Sequence, residues 1–472
     1  MKKLLSLISL ALLVFACSED KELANNEQTV DLTPAEYISI AFNQTSTDIG
    51  EAQAINLVND FSKGISTRAL SASAGRVINK YYINDFYLTR NSSQTENRIP
   101  IYVVSLGNKT NSGFSIVSGD ARNPCVLMYS EQGNINDTTE NKGAKYMLEE
   151  AELSLQRRLC EYRYIRDSLR ESTIEKIKKQ LKVDKVDFEQ IKDRIRIIGG
   201  TRASGIENPT DGRLWKEVKP LISTKWDQSS PYNDLLEETK SPDDVNIYYY
   251  GGRNAVGCTG TAVSQIVALY QTIHSAYGVY LNWDEIKVTP KITKYYSSES
   301  LKKQVANLCK FVAIGIGTKW SDSGEGGANM KNSYNFLNSN GITFDTGDKY
   351  RGFDMNAVRI VESLDLGYPV FVTGQAEAGT RSSSSNSGGH CWILDGCQMR
   401  TRPAMTRAII KANDVYVHAN FGWGGDEDGY YLVDRNTTNL TFDTSYNGKY
   451  NQRLRLFTRV RKKNKIVTTT NI

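Results

Sequence analysis

The sequence predicts an α+β protein of 472 residues, because strand-like and helical patterns alternate along stretches of different composition. From residue 30 to about 140, short segments of alternating polarity accompany one helical stretch, Ile49 to about Ile65. Charge-rich segments with helical spacing occupy 142–197, and from Leu214 onward both patterns occur in sequence rich in aromatics and glycine. At about 150 residues per domain, this length predicts two or three domains.

The first residues predict an export signal with a lipid attachment site. Lys2-Lys3 precede an apolar stretch, 4–15, that is too short to span a bilayer. The next residues complete Val14-Phe15-Ala16-Cys17, which resembles a bacterial lipobox and makes Cys17 the expected lipidation site. The acidic run 18–22 resembles a surface-export signal of some Gram-negative lipoproteins. We therefore expect an outer-membrane lipoprotein, at the cell surface or secreted after processing; a signal cleaved elsewhere and a plain polar tether are the alternatives.

Composition divides the chain into a signal (1–17), a small α+β unit (18–141), a charged helical connector with a linker (142–212) and a large domain (213–472). The many charges at helical spacing in the connector predict solvated, exposed helices. Glycine, proline and small polar residues from 199 onward are typical of an interdomain linker.

Charge and cysteine content exclude some classes of partner. The net charge of +5 forms no basic stripe interleaved with aromatics, so nucleic acid is not an expected partner. The seven cysteines are too scattered for a disulfide framework, and no Cys-x-x-Cys pair indicates zinc, so we expect neither a metal nor a cofactor. Cys309 is interpreted as a free buried thiol. Cys391 and Cys397 are interpreted as separate core positions, with a disulfide between them as the alternative.

Cys258 is the candidate nucleophile. It follows Gly257 at the start of a predicted apolar-faced helix, near 258–274. Unpaired N–H groups and the positive end of the helix dipole stabilise a thiolate, so we expect a thiol pKa below the usual value of about 8.5. The alternative is a small core residue that begins a helix.

Three histidines are candidates for the general base. His274 lies sixteen residues after Cys258 on the same predicted helix, about 24 Å away, and cannot reach the thiol. By position, either His390 or His418 qualifies. We favour His390, because Gly389 before it lets a substrate backbone approach and 418–425 remain free to orient it.

Two amide side chains and a tryptophan complete the candidate site. Asn420 can accept a hydrogen bond from an imidazole N–H, and Trp423 can shield that bond from water. Gln228 lies thirty residues before Cys258, and its amide can donate to an oxyanion together with the Cys258 N–H. Taken alone, Gln228 would be an ordinary surface polar residue, and the alternative for the sequence 422–425 is a tight turn with an anchoring tryptophan, which does not exclude a function for Trp423.

The motifs that contain these residues resemble, in the same order, those of the streptopain family of secreted papain-like cysteine peptidases. They are Trp226-Asp-Gln-Ser-Ser-Pro-Tyr-Asn, Gly257-Cys-Thr-Gly-Thr-Ala, Gly388-Gly-His-Cys-Trp-Ile-Leu-Asp-Gly and Asn420-Phe-Gly-Trp-Gly-Gly-Asp-Glu-Asp-Gly-Tyr-Tyr. The resemblance covers 214 to about 460, and Gly113-Phe-Ser-Ile-Val-Ser-Gly-Asp-Ala-Arg resembles the streptopain-type inhibitory propeptide.

This resemblance implies a papain-like catalytic domain of two subdomains, preceded by a small α+β inhibitory prodomain. It implies protein or peptide substrates and a substrate-binding wall that contains Ser321, Gly326 and Gly327. The residues to which it gives catalytic roles are Cys258, His390, Asn420, Gln228 and Trp423. A plain loop is the alternative for that wall. The resemblance also implies a zymogen, for which we expect processing between about 195 and 215.

The chain departs from the family pattern in two places. Streptopain has a tryptophan directly after the asparagine of the turn, whereas this chain has Phe421, which is smaller and lacks an indole N–H. The segment 142–197 has no counterpart in the short streptopain propeptide. Two other functions remain open: amidase or transglutaminase chemistry at the same site, or a surface binding lipoprotein without catalysis.

Overall fold

The computed structural model describes most of the chain from residue 28 to residue 463. The described ranges are 28–41, 47–63, 65, 75–85, 98–107, 112–134, 141–198, 214–374, 389–400, 414–433 and 454–463. The predicted lipidation site Cys17 and nearly all of the predicted linker lie outside these ranges. Among the described residues, no helix has both the length and the apolar character needed to cross a membrane.

The N-terminal unit, defined here as residues 28–198, contains four α-helices and six strands among its described residues. In chain order they are β1 (Val30–Leu32), α1 (Pro34–Ala41), α2 (Glu51–Ser62), β2 (Arg76–Asn84), β3 (Arg98–Ser105), β4 (Phe114–Ser118), β5 (Cys125–Ser130), α3 (Lys142–Leu181), α4 (Phe188–Ile191) and β6 (Ile195–Ile197).

The C-terminal unit, residues 214–463, begins with mostly helical structure and ends in strands. Its first elements are β7 (Leu214–Val218), α5 (Asp244–Tyr250), α6 (Cys258–Tyr270), β8 (Ser275–Ala276), β9 (Val279–Tyr280), α7 (Trp283–Lys287), α8 (Glu299–Gly315), β10 (Lys319–Trp320), β11 (Gly326–Gly327) and α9 (Met330–Ser339). Then follow β12 (Ile342–Asp345), β13 (Phe353–Asp354), α10 (Ala357–Asp365), β14 (Val370–Gly374), β15 (His390–Arg400), β16 (Asp414–Asn420), β17 (Gly429–Val433) and β18 (Leu454–Lys462). The prediction of an α+β fold is therefore confirmed.

One sheet runs through both units. Its order is β12-β18-β14-β15-β16-β17-β5-β4-β3-β2, with β13 paired to β18 and β7 paired to β15. The two units meet where β17 pairs antiparallel with β5, so that Gly429 lies opposite Ser130 and Tyr431 opposite Met128. Backbone hydrogen bonds therefore join the N-terminal unit to the sheet of the C-terminal unit.

Two cores lie on opposite faces of this sheet at β14, β15 and β18. The sheet core contains residues of α2, α3 and α10, and the helical core contains residues of α6, α8 and α9. Side chains alternate along β15 because successive residues of a strand point to opposite faces. Trp392 and Leu394 belong to the sheet core, whereas Cys391 and Ile393 belong to the helical core. The α3 side and the α6 side are thus opposite faces of β15.

Helix α3 differs from the predicted solvated connector. Its first half buries Ala144, Met147, Ala151, Leu155 and Leu159 in the sheet core. These positions recur every three or four residues and form one apolar face of the helix. The prediction of exposed helices is therefore wrong for this half, in which even the charged residues Glu150, Arg157 and Arg158 are buried and form ion pairs.

The far end of α3 belongs to a third, smaller core. Ile177 and Leu181 pack there with Val30, Leu32 and Ile195, and β1 pairs in parallel with β6. This core joins the start of the described chain to the residues just before the predicted linker.

Two further expectations can be compared with these elements. Helix α6 ends at Tyr270, because the next residue, Gln271, adopts a left-handed conformation (φ 54°). His274 therefore lies outside the helix, contrary to the prediction of a helix near 258–274. The six cysteines of the described chain are all free and buried, as expected for Cys309, Cys391 and Cys397. A register shift between Leu394 and Gly396 places Cys397 in the sheet core, on the opposite face from Cys391.

Candidate active site

Cys258 is the first residue of α6, and none of the described side chains caps this helix. Helix α8, by comparison, begins with Ser298 accepting the N–H of Leu301. The turn before α6 requires a glycine, because Gly257 has φ +82° and a β-carbon there would lie 2.6 Å from the carbonyl oxygen of Gly326. The uncapped N–H groups of the first turn therefore remain available near the thiol.

The Cys258 thiol is enclosed in this structure, with 8% of the residue exposed. Burial raises the pKa of this thiol, although hydrogen bonds from the Cys391 N–H and from Thr259 act in the opposite direction. The expectation of a lowered thiol pKa is wrong for this form of the protein, because loss of hydration outweighs the helix N-terminus. The Cys391 contact places the thiol next to the residue that follows His390.

His390 begins β15, but its imidazole lies on the α3 side of the sheet. It stacks on Trp392 with 5.9 Å between ring centroids. A β-carbon on Gly143, in the first turn of α3, would lie 2.7 Å from its Cδ2 atom. Burial and the Lys142 cation both disfavour an imidazolium and lower the pKa of His390 to about 4.

The thiol and the imidazole are therefore not a reactive pair in this form. The His390 Nε2 atom is buried without a hydrogen-bond partner among the described residues. A raised pKa at Cys258 and a lowered pKa at His390 both favour the neutral groups. Thiolate–imidazolium chemistry requires the opposite shifts, so this arrangement is dormant.

Gln228 lies beside the turn that leads to Cys258. The main-chain N–H of Gln228 donates to the Asp227 carboxylate at 2.5 Å. The main-chain carbonyl of Gln228 accepts a hydrogen bond from the Val256 N–H at 3.0 Å. This bond connects the chain around Gln228 to the residue two positions before the nucleophile.

Asn420 is held on the α6 side of the sheet. Its Oδ1 accepts from Gln265 Nε2 at 2.8 Å and from the Gly422 N–H at 3.2 Å. Its Nδ2 donates to the Thr224 carbonyl at 2.9 Å. Within the described part of the chain, no hydrogen bond joins Asn420 to His390. Trp423 packs against the sheet core, and its buried indole N–H has no hydrogen-bond partner among the residues that the structure describes.

His418 lies further along the sheet. It is opposite Gly396, five residues beyond Cys391 and roughly 15 Å along the strand. Its Nδ1 is 2.6 Å from the Oδ1 of the buried Asp395. Burial opposes a charge on His418, but Asp395 outweighs burial and raises the pKa of this histidine. Because its imidazole is bound to a carboxylate and lies far along the strand from Cys391, His418 is poorly placed to act as a base for Cys258.

The predicted substrate-binding wall adjoins the start of α6. Gly326 and Gly327 form β11, paired with β10, and Gly326 is the residue against which Gly257 packs. Ser321 shares a hydrogen bond with Ser323 at 3.0 Å, in the turn that leads into β11. Gly389 is exposed directly before His390. Gly388, the first residue of the motif that contains His390, lies outside the described residues.

The N-terminal unit also holds the turn that carries Trp423. Gln132 donates to Asp426 Oδ1 at 2.7 Å, and its carbonyl accepts the N–H of Glu427 at 3.1 Å. On the α3 side, Tyr146 stacks on Trp392 with ring centroids 6.3 Å apart. Contacts from two parts of the N-terminal unit thus converge on the chain around the site.

Sequence reasoning missed Gly143, Tyr146, Gln132 and Gln265. The apolar positions of α3 at spacings of three and four were the available signal for a packed helix, and Gly143 at its start was the signal for a close approach. Gln265 gave no signal, since a single glutamine in an apolar helix does not identify its partners. In the described part of the chain, no cluster of three or more His, Cys, Asp or Glu residues is arranged to hold a metal ion.

Comparison with known proteins gives matches for both units. Residues 226–431 match the Peptidase C10 family model, and residues 46–155 match the Spi protease inhibitor model. Streptopain of Streptococcus pyogenes serotype M1 is 23% identical over 365 residues, covering 71% of this chain and 73% of that protein. Streptopain of serotype M28 is 23% identical over 369 residues, with the same coverage.

Two solved structures from Prevotella intermedia are also similar. A cysteine-to-alanine mutant fragment of prointerpain A is 18% identical, with a TM-score of 0.43, and the match covers 82% of this chain and 100% of that chain. Active wild-type interpain A is 21% identical, with a TM-score of 0.34, and the match covers 53% and 96%.

The fold and the two matched domains define a cysteine endopeptidase zymogen, in which an inhibitory propeptide precedes the peptidase domain. The chain is a streptopain-like cysteine peptidase with a Spi-type inhibitory propeptide. The segment 46–155 that matches the inhibitor model lies within the N-terminal unit, and the name propeptide is used for this unit, residues 28–198.

Proposed function

We propose that Cys258 is the nucleophile of this endopeptidase and that His390 is its general acid and base. The observation that carries the proposal is the position of the thiol, at the uncapped start of α6 and within hydrogen-bonding reach of the Cys391 N–H. After the propeptide leaves, hydration returns to the site and the imidazole can turn towards the thiol. The pair then forms thiolate and imidazolium.

The reaction follows from these groups. The Cys258 thiolate attacks the scissile carbonyl, and the resulting oxyanion accepts hydrogen bonds from the Cys258 N–H and the Gln228 amide. The His390 imidazolium protonates the leaving amine, and the neutral imidazole then activates water to hydrolyse the thioester. The bond between Val256 and the Gln228 carbonyl supports this role, because it ties both oxyanion donors to one stretch of chain.

Asn420 orients His390 in the open form, and Trp423 shields their hydrogen bond. Asn420 already lies on the α6 side of the sheet, which the imidazole must enter to reach the thiol. Substrate residues pack against Ser321, Gly326 and Gly327, while Gly389 leaves room for the substrate backbone. The contact between Gly257 and Gly326 supports this placement, because it brings the wall against the turn before Cys258.

The propeptide keeps the site dormant until the chain is cut between about 195 and 215. Its helix α3 blocks the imidazole, and burial keeps both reacting groups neutral. The chain is exported and lipidated at Cys17, which anchors the zymogen to the outer membrane, at the cell surface or with later release by processing. Its substrates are proteins or peptides.

Casein hydrolysis by the activated protein tests this function. We expect Cys258→Ala and His390→Ala each to lower kcat by a factor of about 10³ or more. Undiminished hydrolysis by Cys258→Ala contradicts the proposed nucleophile. Incorporation of amines into glutamine side chains, in place of casein cleavage, indicates acyl transfer instead. N-terminal sequencing locates the processing site, and metabolic labelling with a palmitate analogue in the wild type and in Cys17→Ala tests lipidation.

A further inference from the structure

Gln265 is a buried polar residue on the helix of the nucleophile. It lies seven residues after Cys258, close to two helical turns, and therefore on the same face of α6. The residue is completely buried, and Ala262 and Ile266 beside it belong to the helical core. A buried amide is costly unless it is hydrogen-bonded, so its partners indicate why it is there.

Those partners belong to the two other segments of the site. Its Nε2 donates to Asn420 Oδ1 at 2.8 Å. Its Oε1 accepts from the Thr224 hydroxyl at 2.9 Å and from the Trp226 N–H at 3.3 Å. One side chain thus connects the helix of Cys258, the chain that leads to Gln228, and the turn of Asn420.

Among the described residues, this network contains none from the propeptide. The bond from Asn420 Nδ2 to the Thr224 carbonyl, 2.9 Å, closes it within the peptidase domain. It therefore remains when the propeptide leaves, unlike the contacts that enclose His390. In the dormant form the network already holds the Asn420 amide on the side from which Cys258 is reached.

The hydrogen bonds at Asn420 Oδ1 define what activation changes. Gln265 supplies the shorter of two bonds, and the Gly422 N–H supplies the longer one at 3.2 Å. An arriving imidazole N–H can replace the longer bond while Gln265 keeps the amide oriented. The oxygen is then presented to His390 in a fixed direction.

We propose that Gln265 is a positioning residue of the peptidase reaction, because it holds the Asn420 amide in place for His390. This inference rests on the proposed roles of Asn420, His390 and Cys258. A role confined to stability predicts loss of folded protein with unchanged kinetics per active site. Positioning predicts a lower kcat in protein that remains folded.

The test compares activated full-length protein in the wild type, Gln265→Met, Asn420→Ala and the double variant. Methionine retains the unbranched shape of glutamine and removes its hydrogen bonds. We expect Gln265→Met to lower kcat by about 10- to 100-fold per titrated active site, with KM within about twofold. The double variant should be no slower than Asn420→Ala by more than about threefold, since both changes remove one orienting interaction.

The pH dependence of kcat/KM distinguishes the two roles, because a change in stability alone does not shift it. An acceptor at the imidazole N–H stabilises the imidazolium, so loosening Asn420 should shift the alkaline limb of kcat/KM to lower pH, by about half a unit or more. Ser264→Ala is the matched control. Ser264 is equally buried beside Gln265, and its hydroxyl bonds within the helix to the Gly260 carbonyl, so kcat and the profile should stay unchanged.

A milder pair of variants covers the case in which Gln265→Met does not fold. Thr224→Val removes the hydroxyl that donates to Gln265, whereas Thr224→Ser keeps it. We expect Thr224→Val to lower kcat about threefold or more and Thr224→Ser to restore it. Equal kcat values for these two variants overturn the inference.

The outcomes separate this inference from the proposed function. Wild-type kinetics in Gln265→Met together with an impaired Asn420→Ala overturn the inference alone. A double variant whose loss equals the product of the single losses also overturns it. An unimpaired Asn420→Ala removes the proposed role of Asn420 and the inference with it, whereas an active Cys258→Ala overturns the proposed nucleophile.

Discussion

The α-carbon of Gly143 lies against the imidazole of His390, so close that a β-carbon at residue 143 would stand 2.7 Å from Cδ2. The same β-carbon would lie 2.6 Å from Cδ1 of Phe421. Gly143 is the second residue of α3, and the preceding Asn141 caps that helix by accepting the Ala144 N–H at 3.0 Å. The main chain of α3 therefore packs directly against His390 at Gly143, which is possible only for a residue without a β-carbon.

Gly143→Ala should loosen the zymogen. The added methyl group forces His390 or α3 to move, at a cost of about 1–3 kcal/mol, against a gain of about 1 kcal/mol in helix propensity. We expect Cys258 in the uncleaved variant to react with iodoacetamide up to about tenfold faster than in the wild type. Mass spectrometry of the alkylated zymogen at pH 7 measures this rate.

Glu171→Ala is the control for that variant, because Glu171 is an exposed residue of the same helix. Its alkylation rate should remain within about twofold of the wild type. Equal rates for Gly143→Ala and the wild type would show that the contact with His390 does not close the site.

Acid should destabilise the closed zymogen through His390. The folded pKa of His390 is about 4, below the ordinary value of 6.5, so the folded state favours the neutral ring. Its contribution to stability is full above pH 6.5 and is lost as the pH falls towards 4. The loss is about 3 kcal/mol over this range, since each pKa unit corresponds to about 1.4 kcal/mol.

Urea unfolding of the Cys258→Ala zymogen at pH 7 and pH 4 measures this loss, and the Cys258→Ala/His390→Gln zymogen is the reference. The difference between the two pH values should be about 3 kcal/mol smaller in the reference, because its residue 390 does not titrate. Equal differences in both proteins exclude His390 as the acid-sensitive group.

Glu152 should act in the opposite direction. Burial, opposed by a hydrogen bond from Tyr81, raises the pKa of this α3 carboxyl to about 7 from the ordinary 4.5. The folded state favours the protonated acid, so stability is lost as the pH rises from 4.5 through 7. Glu152→Gln should therefore stabilise the zymogen by about 3 kcal/mol at pH 8 and change little at pH 4.

The same urea experiment measures this effect in the Cys258→Ala background. Glu175→Gln is the control, since Glu175 is an exposed carboxylate of α3. A gain at pH 8 that appears equally in the control indicates a general effect of the charge of α3. A gain confined to Glu152→Gln supports the buried acid.

The local features of the site could be predicted from the sequence. A glycine followed by Cys258 predicted a thiol at a helix start, and Cys258 is the first residue of α6. This feature depends on neighbours in the chain, as does α2, which lies within the predicted helical stretch from Ile49 to about Ile65. The fold class followed from the same local patterns.

The features that depend on distant partners could not be predicted. The pairing of β17 with β5 and the approach of Gly143 to His390 join residues hundreds of positions apart. The pKa of Cys258 was expected to fall because helix geometry is local, but burial by distant segments raised it. The apolar face of α3 was not recognised among its many charges for the same reason, because the core residues against which it packs are remote in sequence.

Peptide mapping of iodoacetamide-labelled protein, before and after activation, tests the central claim most directly. The five other cysteines of the described chain are free and buried, so they serve as internal controls. We predict rapid labelling at Cys258 after activation, slow labelling in the zymogen, and loss of the rapid reaction in activated His390→Ala. Rapid labelling at another cysteine, or labelling of Cys258 at the same rate before and after activation, would contradict a dormant Cys258–His390 pair released by removal of the propeptide.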